Sequence, residues 1–217
     1  MEQTKIIVPD VEYHNKVILK GEVTKPVCVG GSHNATFYMK LKRFSNAYDE
    51  LQIYTLTQNI KGLKLQKGCF VNVEGEIRTR NITVGSERRL QVSIYANELS
   101  QISEEETHSD KFISQSNEVE LSGTICKKLP FNQTRTGYAI QEGMIAVNNR
   151  ERHESYYIPF VSWNKCAEIV QQYFNIGDQV TVKGRMQSRE YTKKTGSMNT
   201  RTAYELSIHH IGHYDRI

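Results

Sequence analysis

The alternating segment Val73-Glu74-Gly75-Glu76-Ile77-Arg78-Thr79-Arg80 returns later in the chain as Val182-Lys183-Gly184-Arg185-Met186-Gln187-Ser188-Arg189. A second segment, Asn15-Lys16-Val17-Ile18-Leu19-Lys20-Gly21, returns as Asn117-Glu118-Val119-Glu120-Leu121-Ser122-Gly123. The chain is therefore read as a duplication. A repeat of about a hundred residues is too long for a solenoid or propeller unit and about the size of a domain, so each copy is expected to carry its own core. Side chains that alternate about a central glycine belong to strands that bulge or coil sharply.

In the second copy, residues 118–127, 138–147, 155–163, 179–190 and 203–211 have strand character and are bounded by turn residues. Between the third and fourth lies Asn164 to Phe174, where Cys166, Ile169, Val170, Tyr173 and Phe174 follow helical spacing. Asn164 is positioned as its N-cap and Gly177 lies just past its end. Five strands with a helix after the third, and glycines in the first and fourth, describe an OB-fold barrel. The first copy fits the same plan with strands near 16–25, 36–44, 50–57, 69–80 and 89–97. Its counterpart of the helix, Gln58 to Lys67, contains Gly62, which costs about 1 kcal/mol in a helix interior, so a single turn or loop is expected. The fold expected is mostly β: two tandem five-stranded OB-fold barrels, the second with a helix between strands 3 and 4. The domains are 1–102, an acidic linker over 103–116, and 117–217.

The composition excludes several classes. Hydrophobic residues at 38% and charged residues at 24% are those of a globular chain. No apolar run reaches the roughly 18 residues that span a bilayer, and Ile6-Ile7-Val8 is too short for a signal-peptide core, so no membrane association and a cytoplasmic location are expected. Cys28, Cys69, Cys126 and Cys166 lie far apart without metal-ligand spacing and read as buried small hydrophobes. Neighbours His209 and His210 point to opposite faces of a strand, so no metal site and no cofactor are expected. Both copies carry a mild positive excess around the acidic stretch Ser103 to Asp110, a balance that suits a polyanionic partner.

Strand parity indicates a working surface in the second copy. Val180, Val182, Gly184 and Met186 share one face of the fourth strand, while Lys183, Arg185, Gln187, Arg189 and then Tyr191 share the other. On the third strand Tyr157, Val161 and Trp163 fall on one parity and Ile158 and Phe160 on the other. Cations for phosphates beside flat rings for unstacked bases are what single-stranded nucleic acid requires. The loop carrying Arg150 and Arg152, and the hairpin carrying Lys193, Lys194 and Arg201, extend the basic surface.

From Asn117 to about Ile211 the sequence resembles the DNA-binding domain of bacterial single-stranded DNA-binding proteins. The resemblance rests on the opening Asn-x-Val-x-Leu-x-Gly, on Tyr157-Ile158-Pro159-Phe160-Val161-Ser162-Trp163-Asn164-Lys165-Cys166-Ala167-Glu168, on Gly177 to Arg185, and on the basic hairpin ending at Arg201. It implies base-stacking roles for Tyr157, Trp163 and Tyr191. A further stacking position of the family aligns near Glu151, which cannot stack. The family's tail with an acidic, apolar tip has no counterpart in Ser207 to Ile217, so recruitment of other enzymes through such a tail is not expected. The first copy resembles the family more faintly. There Glu74 and Glu76 stand for Lys183 and Arg185, Ile82 for Tyr191 and Leu51 for Tyr157, so it is expected to support assembly more than binding, with Arg78, Arg80, Arg88 and Arg89 left along its rim.

The leading function is thus a non-enzymatic single-stranded DNA-binding protein acting in replication, recombination or repair, with replication or recombination proteins as further partners. The resemblance implies four barrels per particle and hence a homodimer of this two-barrel chain. The alternative is a primosome-like OB-fold adaptor working through protein contacts. No nucleophile-base pair, phosphate-cradling loop or metal-carboxylate cluster argues for an enzyme.

Overall fold

The computed structural model of the chain describes residues 11–31, 33–43, 45–108, 112, 115–192 and 200–214. Eleven strands run in the order β1 (His14–Gly30), β2 (Asn34–Lys42), β3 (Tyr48–Leu56), β4 (Phe70–Val84), β5 (Glu87–Ile102), β6 (Asn117–Lys128), β7 (Asn132–Gln133), β8 (Ala139–Asn149), β9 (Glu154–Trp163), β10 (Gln179–Thr192) and β11 (Thr200–His213). One helix, α1 (Asn164–Tyr173), follows β9. The expected strands are all present, and β1, β4 and β5 extend several residues further than the alternation suggests. At the place of a helix in the first copy stands a single 3-10 turn, Thr57–Ile60, with Gly62 beyond it at φ 82°.

The pairings form circuits. β6 pairs with β8, β8 with β9, β9 with β11 in parallel, β11 with β10, and β10 with β6 again, which closes a five-stranded barrel. Its interior holds Leu121, Ile125, Ile145, Ile158, Phe160, Val182, Met186 and Leu206, all at most 1% exposed. Val170 of the helix and Phe174 just past its end pack against the same core. In the first copy β1, β2, β3, β5 and β4 pair in the equivalent sequence.

The repeated glycines explain the closure. A Cβ on Gly21 would stand 2.5 Å from the Lys40 carbonyl oxygen, and one on Gly123 2.5 Å from that of Ala146. On Gly75 and Gly184 it would meet the carbonyls of Tyr95 and Ser207 at 2.1 and 2.4 Å. These last two sit at register shifts, Glu74/Gly75 and Lys183/Gly184. The four positions that repeat as glycine are therefore places where one backbone crosses another too closely for a side chain.

Between its two ends β1 changes partners. Glu22 to Gly30 pair with β2, Val17 to Glu22 with β4, and His14 to Leu19 with β6. The β1–β6 pairing is antiparallel with Val17 opposite Val119, residues that correspond in the repeat. Each copy thus fills the free strand edge of the other about a local two-fold axis. Where β1 leaves β4, the Asn15 side chain continues the ladder. Its amide donates to the Ile77 carbonyl at 2.8 Å and accepts from the Ile77 N–H at 3.0 Å. Asn117 does the same with Met186, at 2.7 and 2.8 Å. The repeated asparagine is thereby explained: its amide reproduces a peptide group and satisfies both backbone groups of its partner.

Two local expectations are corrected, at the helix N-cap and at the cysteines. The helix N-cap is Trp163, with no side-chain capping bond, and Asn164 instead adopts φ 50°, a left-handed conformation that asparagine tolerates better than most residues. The helix C-terminus is satisfied from β6, where Lys128 Nζ donates to the carbonyls of Val170, Gln171 and Phe174 at 3.1, 3.3 and 2.7 Å. The cysteines are not uniformly buried: Cys28 and Cys126 are exposed, while Cys69 and Cys166 are half-buried and all four are free. In the acidic joint, Glu104–His108 forms a 3-10 turn and Ser116 is 2% exposed, its carbonyl accepting from Lys20 N–H at 2.8 Å.

Replacing Asn117 by Ala leaves the Met186 N–H and C=O without their partner, and is expected to lower unfolding free energy by about 1 to 3 kcal/mol. Asn15→Ala should cost a similar amount because the geometry is the same. Urea denaturation of the two variants against the wild type checks both the size and the equality.

Candidate nucleic-acid interface

On β9 the alternation buries Tyr156, Ile158 and Phe160 and leaves Tyr157 47% and Trp163 38% exposed. Val161, on the parity of the two outer rings, is nevertheless buried at 1%. Trp163 is the Cα partner of Ile140 on β8, and just ahead of β8 lies Tyr138, 55% exposed, which the sequence reading passed over. Three aromatic side chains are therefore solvent-facing along β8 and β9. Large exposed rings grouped on one surface are candidates for contact with a partner.

The cations divide into two groups. Lys183 and Arg189 lie at the surface. Lys183 Nζ is 3.1 Å from Glu120, and Arg189 Nη2 lies 3.9 Å from Glu142 and 3.8 Å from Glu205. Pairs exposed to this degree are worth at most about 1 kcal/mol and yield readily to a stronger anion. Gln187, read as part of the same outward stripe, is 7% exposed and donates to Glu205 at 2.7 Å.

Arg185 and Arg152 belong to the seam between the copies. Arg185 Nη1 reaches Asp49 Oδ2 at 3.3 Å, and Asp49, fully buried, also accepts from Arg43 Nε at 2.6 Å and from the Ser188 N–H at 2.7 Å. Burial and the neighbouring Arg43 pull the Arg185 guanidinium below its ordinary pKa, while Asp49 opposes them. Arg152 donates to Glu76, as do Arg78 Nε at 2.6 Å and the Tyr13 hydroxyl. Burial alone would raise the Glu76 pKa. The hydrogen bonds from Tyr13, Arg152 and Arg78 outweigh it and hold the carboxyl below its ordinary value.

Glu76 and Arg185 occupy corresponding places in the repeat, and both are used to bind the other copy. Glu76, expected on the outward face in the place of Arg185, is instead 4% exposed and neutralised by arginines. The backbone bonds across the seam also correct the alignment. Tyr157 N–H donates to Thr79 Oγ1 at 2.8 Å, and Glu50 N–H donates to Ser188 Oγ at 3.3 Å. Glu50, not Leu51, is the first-copy counterpart of Tyr157. Arg150 is exposed in the turn between β8 and β9. The backbones of Tyr191 and Arg201 face each other as Cα partners in β10 and β11. Lys193 and Lys194 lie outside the described residues.

A closed five-stranded barrel with a helix after its third strand, carrying exposed aromatics and cations on its outer strands, defines a binding module of the OB class. Residues 116–214 match the Single-strand binding protein family. The chain is 34% identical over 86 residues to a single-stranded DNA-binding protein of Clostridium tetani, covering 37% of this chain and 59% of that protein. It is 35% identical over 86 residues to single-stranded DNA-binding protein 3 of Clostridium acetobutylicum, covering 37% of this chain and 60% of that protein. The chain thus spans about three-fifths of the length of these two relatives. In fold it is similar to the crystal structure of the wild-type single-stranded DNA binding protein from Thermus aquaticus, with a TM-score of 0.73, 19% identity and 95% of each chain covered. No helix among the described residues is long and apolar enough to cross a membrane.

Proposed function

We propose that the chain is a non-enzymatic, cytoplasmic single-stranded DNA-binding protein that coats or protects strands exposed in replication, recombination or repair. Its plan is two tandem OB-fold repeats, 1–102 and 117–217, joined by the acidic segment 103–116. The observation that carries the reading is the exposure of Tyr157 and Trp163 on one strand of a barrel that matches the single-strand binding family. Bases stack on these rings and on Tyr191, while Lys183, Arg189, Arg150 and the hairpin residues Lys193, Lys194 and Arg201 meet phosphates. Arg152 and Arg185 contribute mainly by fixing the surface through the seam, and by their charge at its margin. Every base offers a ring face, so such a site binds a single strand without selecting its sequence.

Tyr157→Ala and Trp163→Ala are each expected to weaken oligo-dT binding by about 1 to 3 kcal/mol, the worth of a stacked base. Affinity should fall steeply as salt rises, because the cations displace condensed counterions. Fluorescence of Trp163, the sole tryptophan, reads the salt series and the Tyr157→Ala variant, and anisotropy of a labelled oligo-dT reads Trp163→Ala. Unchanged affinity in folded variants would remove the proposed site, and a flat salt response would favour an adaptor that works through protein contacts.

A homodimer presenting four barrels is the assembly proposed, since two-fold pairing is the commonest closed arrangement of soluble proteins. Light scattering at micromolar concentration should give twice the 25.0 kDa of one chain. A strict monomer would contradict the four-barrel particle.

A further inference from the structure

The first copy has a groove of its own. It has a volume of about 480 Å³ and opens where β3, β4 and β5 approach the start of β9. That volume is in the range of small-molecule pockets, roughly 300 to 1,000 Å³. Tyr54 and Tyr95, on the parallel strands β3 and β5, are direct Cα partners and both line it. The Arg78 guanidinium lies 3.6 Å from the centroid of the Tyr95 ring, extending a flat platform. Arg80 Nε is steadied by Gln91 Oε1 at 2.7 Å, and Gln91 in turn donates to the Tyr54 hydroxyl at 2.9 Å. Two rings and two guanidinium planes thus stand on one concave surface, which is the composition of a base-stacking site.

This groove does not repeat the second-copy surface. The parallel registers place Ile53 opposite Ile94 and Phe160 opposite Leu206, so Tyr54 and Tyr95 correspond to Val161 and Ser207, neither of which offers a ring. Nor is the groove isolated. Thr79 lines it and also accepts the Tyr157 N–H at 2.8 Å, and Tyr156 forms part of its wall. A strand lying on Tyr157 is therefore already at the groove's edge.

We propose that this groove is a second base-stacking subsite for single-stranded nucleic acid, with bases on Tyr54 and on the Tyr95–Arg78 pair and a phosphate at Arg80. The proposal rests on the strand-binding reading above and extends it: one strand runs from Tyr157 past Thr79 into the first copy. The two copies then differ in which strand positions carry their rings, rather than in whether they bind.

The test compares labelled oligo-dT of about 8 and about 30 nucleotides, within and beyond the span of one OB fold, on the full chain. In the double variant Tyr54→Ala/Tyr95→Ala, affinity for the long strand should fall roughly fivefold or more while affinity for the short one, held by Tyr157 and Trp163, stays unchanged. Tyr54→Phe/Tyr95→Phe, which keeps the rings, should restore the long-strand affinity. A folded alanine variant with undiminished long-strand affinity overturns the subsite. Should the alanine variant fail to fold, Cys28 supplies a second readout in the wild type, because this exposed thiol lines the groove. The long strand should slow its alkylation by iodoacetamide, and an unaltered rate in saturated complex overturns the proposal. Wild-type protein that binds neither length would instead bring down the strand-binding reading itself.

Discussion

The antiparallel pairing of β1 with β6, centred on Val17 opposite Val119, is the contact on which the rest of the arrangement depends. A five-stranded circuit whose first strand divides its length between two neighbours leaves one stretch of edge unpaired. An unpaired edge would recruit another chain indiscriminately. Duplication supplies a matched edge within the same molecule, so the exposed stretches of β1 and β6 satisfy each other. The axis that relates them then dictates where everything else meets: the far end of β4 reaches β9, and the far end of β10 reaches β3.

That crossing explains the distribution of charge. Asp49 and Glu76 are buried carboxylates with arginine partners drawn from both copies. A buried carboxylate is tolerated only when donors replace its lost water, and Arg43, Arg185 and Ser188 do so for Asp49. Arg152 and Arg185 consequently serve the seam first. The remaining cations on the outer strands have partners at the surface, where an incoming phosphate competes with them easily. The seam also holds Tyr157 at its backbone through Thr79, so the strand position that carries an exposed ring in one copy is held by the other.

Much of this was legible in the sequence because alternation is local. Valines and isoleucines at every second position marked the strands, and the repeated glycines marked the close crossings. The outward parity of Tyr157 and Trp163 followed from the same period. What stayed hidden depends on contacts between the copies. Nothing in the alternation tells that Glu76 and Gln187, both on outward parity, are covered, or that Val161 is. Asn15 and Asn117 stood out as repeated letters, but their role appears only once β1 is seen to leave β4 for β6. Tyr54 and Tyr95 carry no signal in the repeat, because the second copy has Val161 and Ser207 at the corresponding positions.

The proposed function places a single strand of nucleic acid against Tyr157 and Trp163, on a surface that the paired copies share. A crystal structure of the full chain with an oligo-dT strand tests it most directly. Bases are expected stacked on both rings, with the strand passing the β4–β9 seam at Thr79. A strand bound on another face, with Tyr157 and Trp163 still open to solvent, would contradict it.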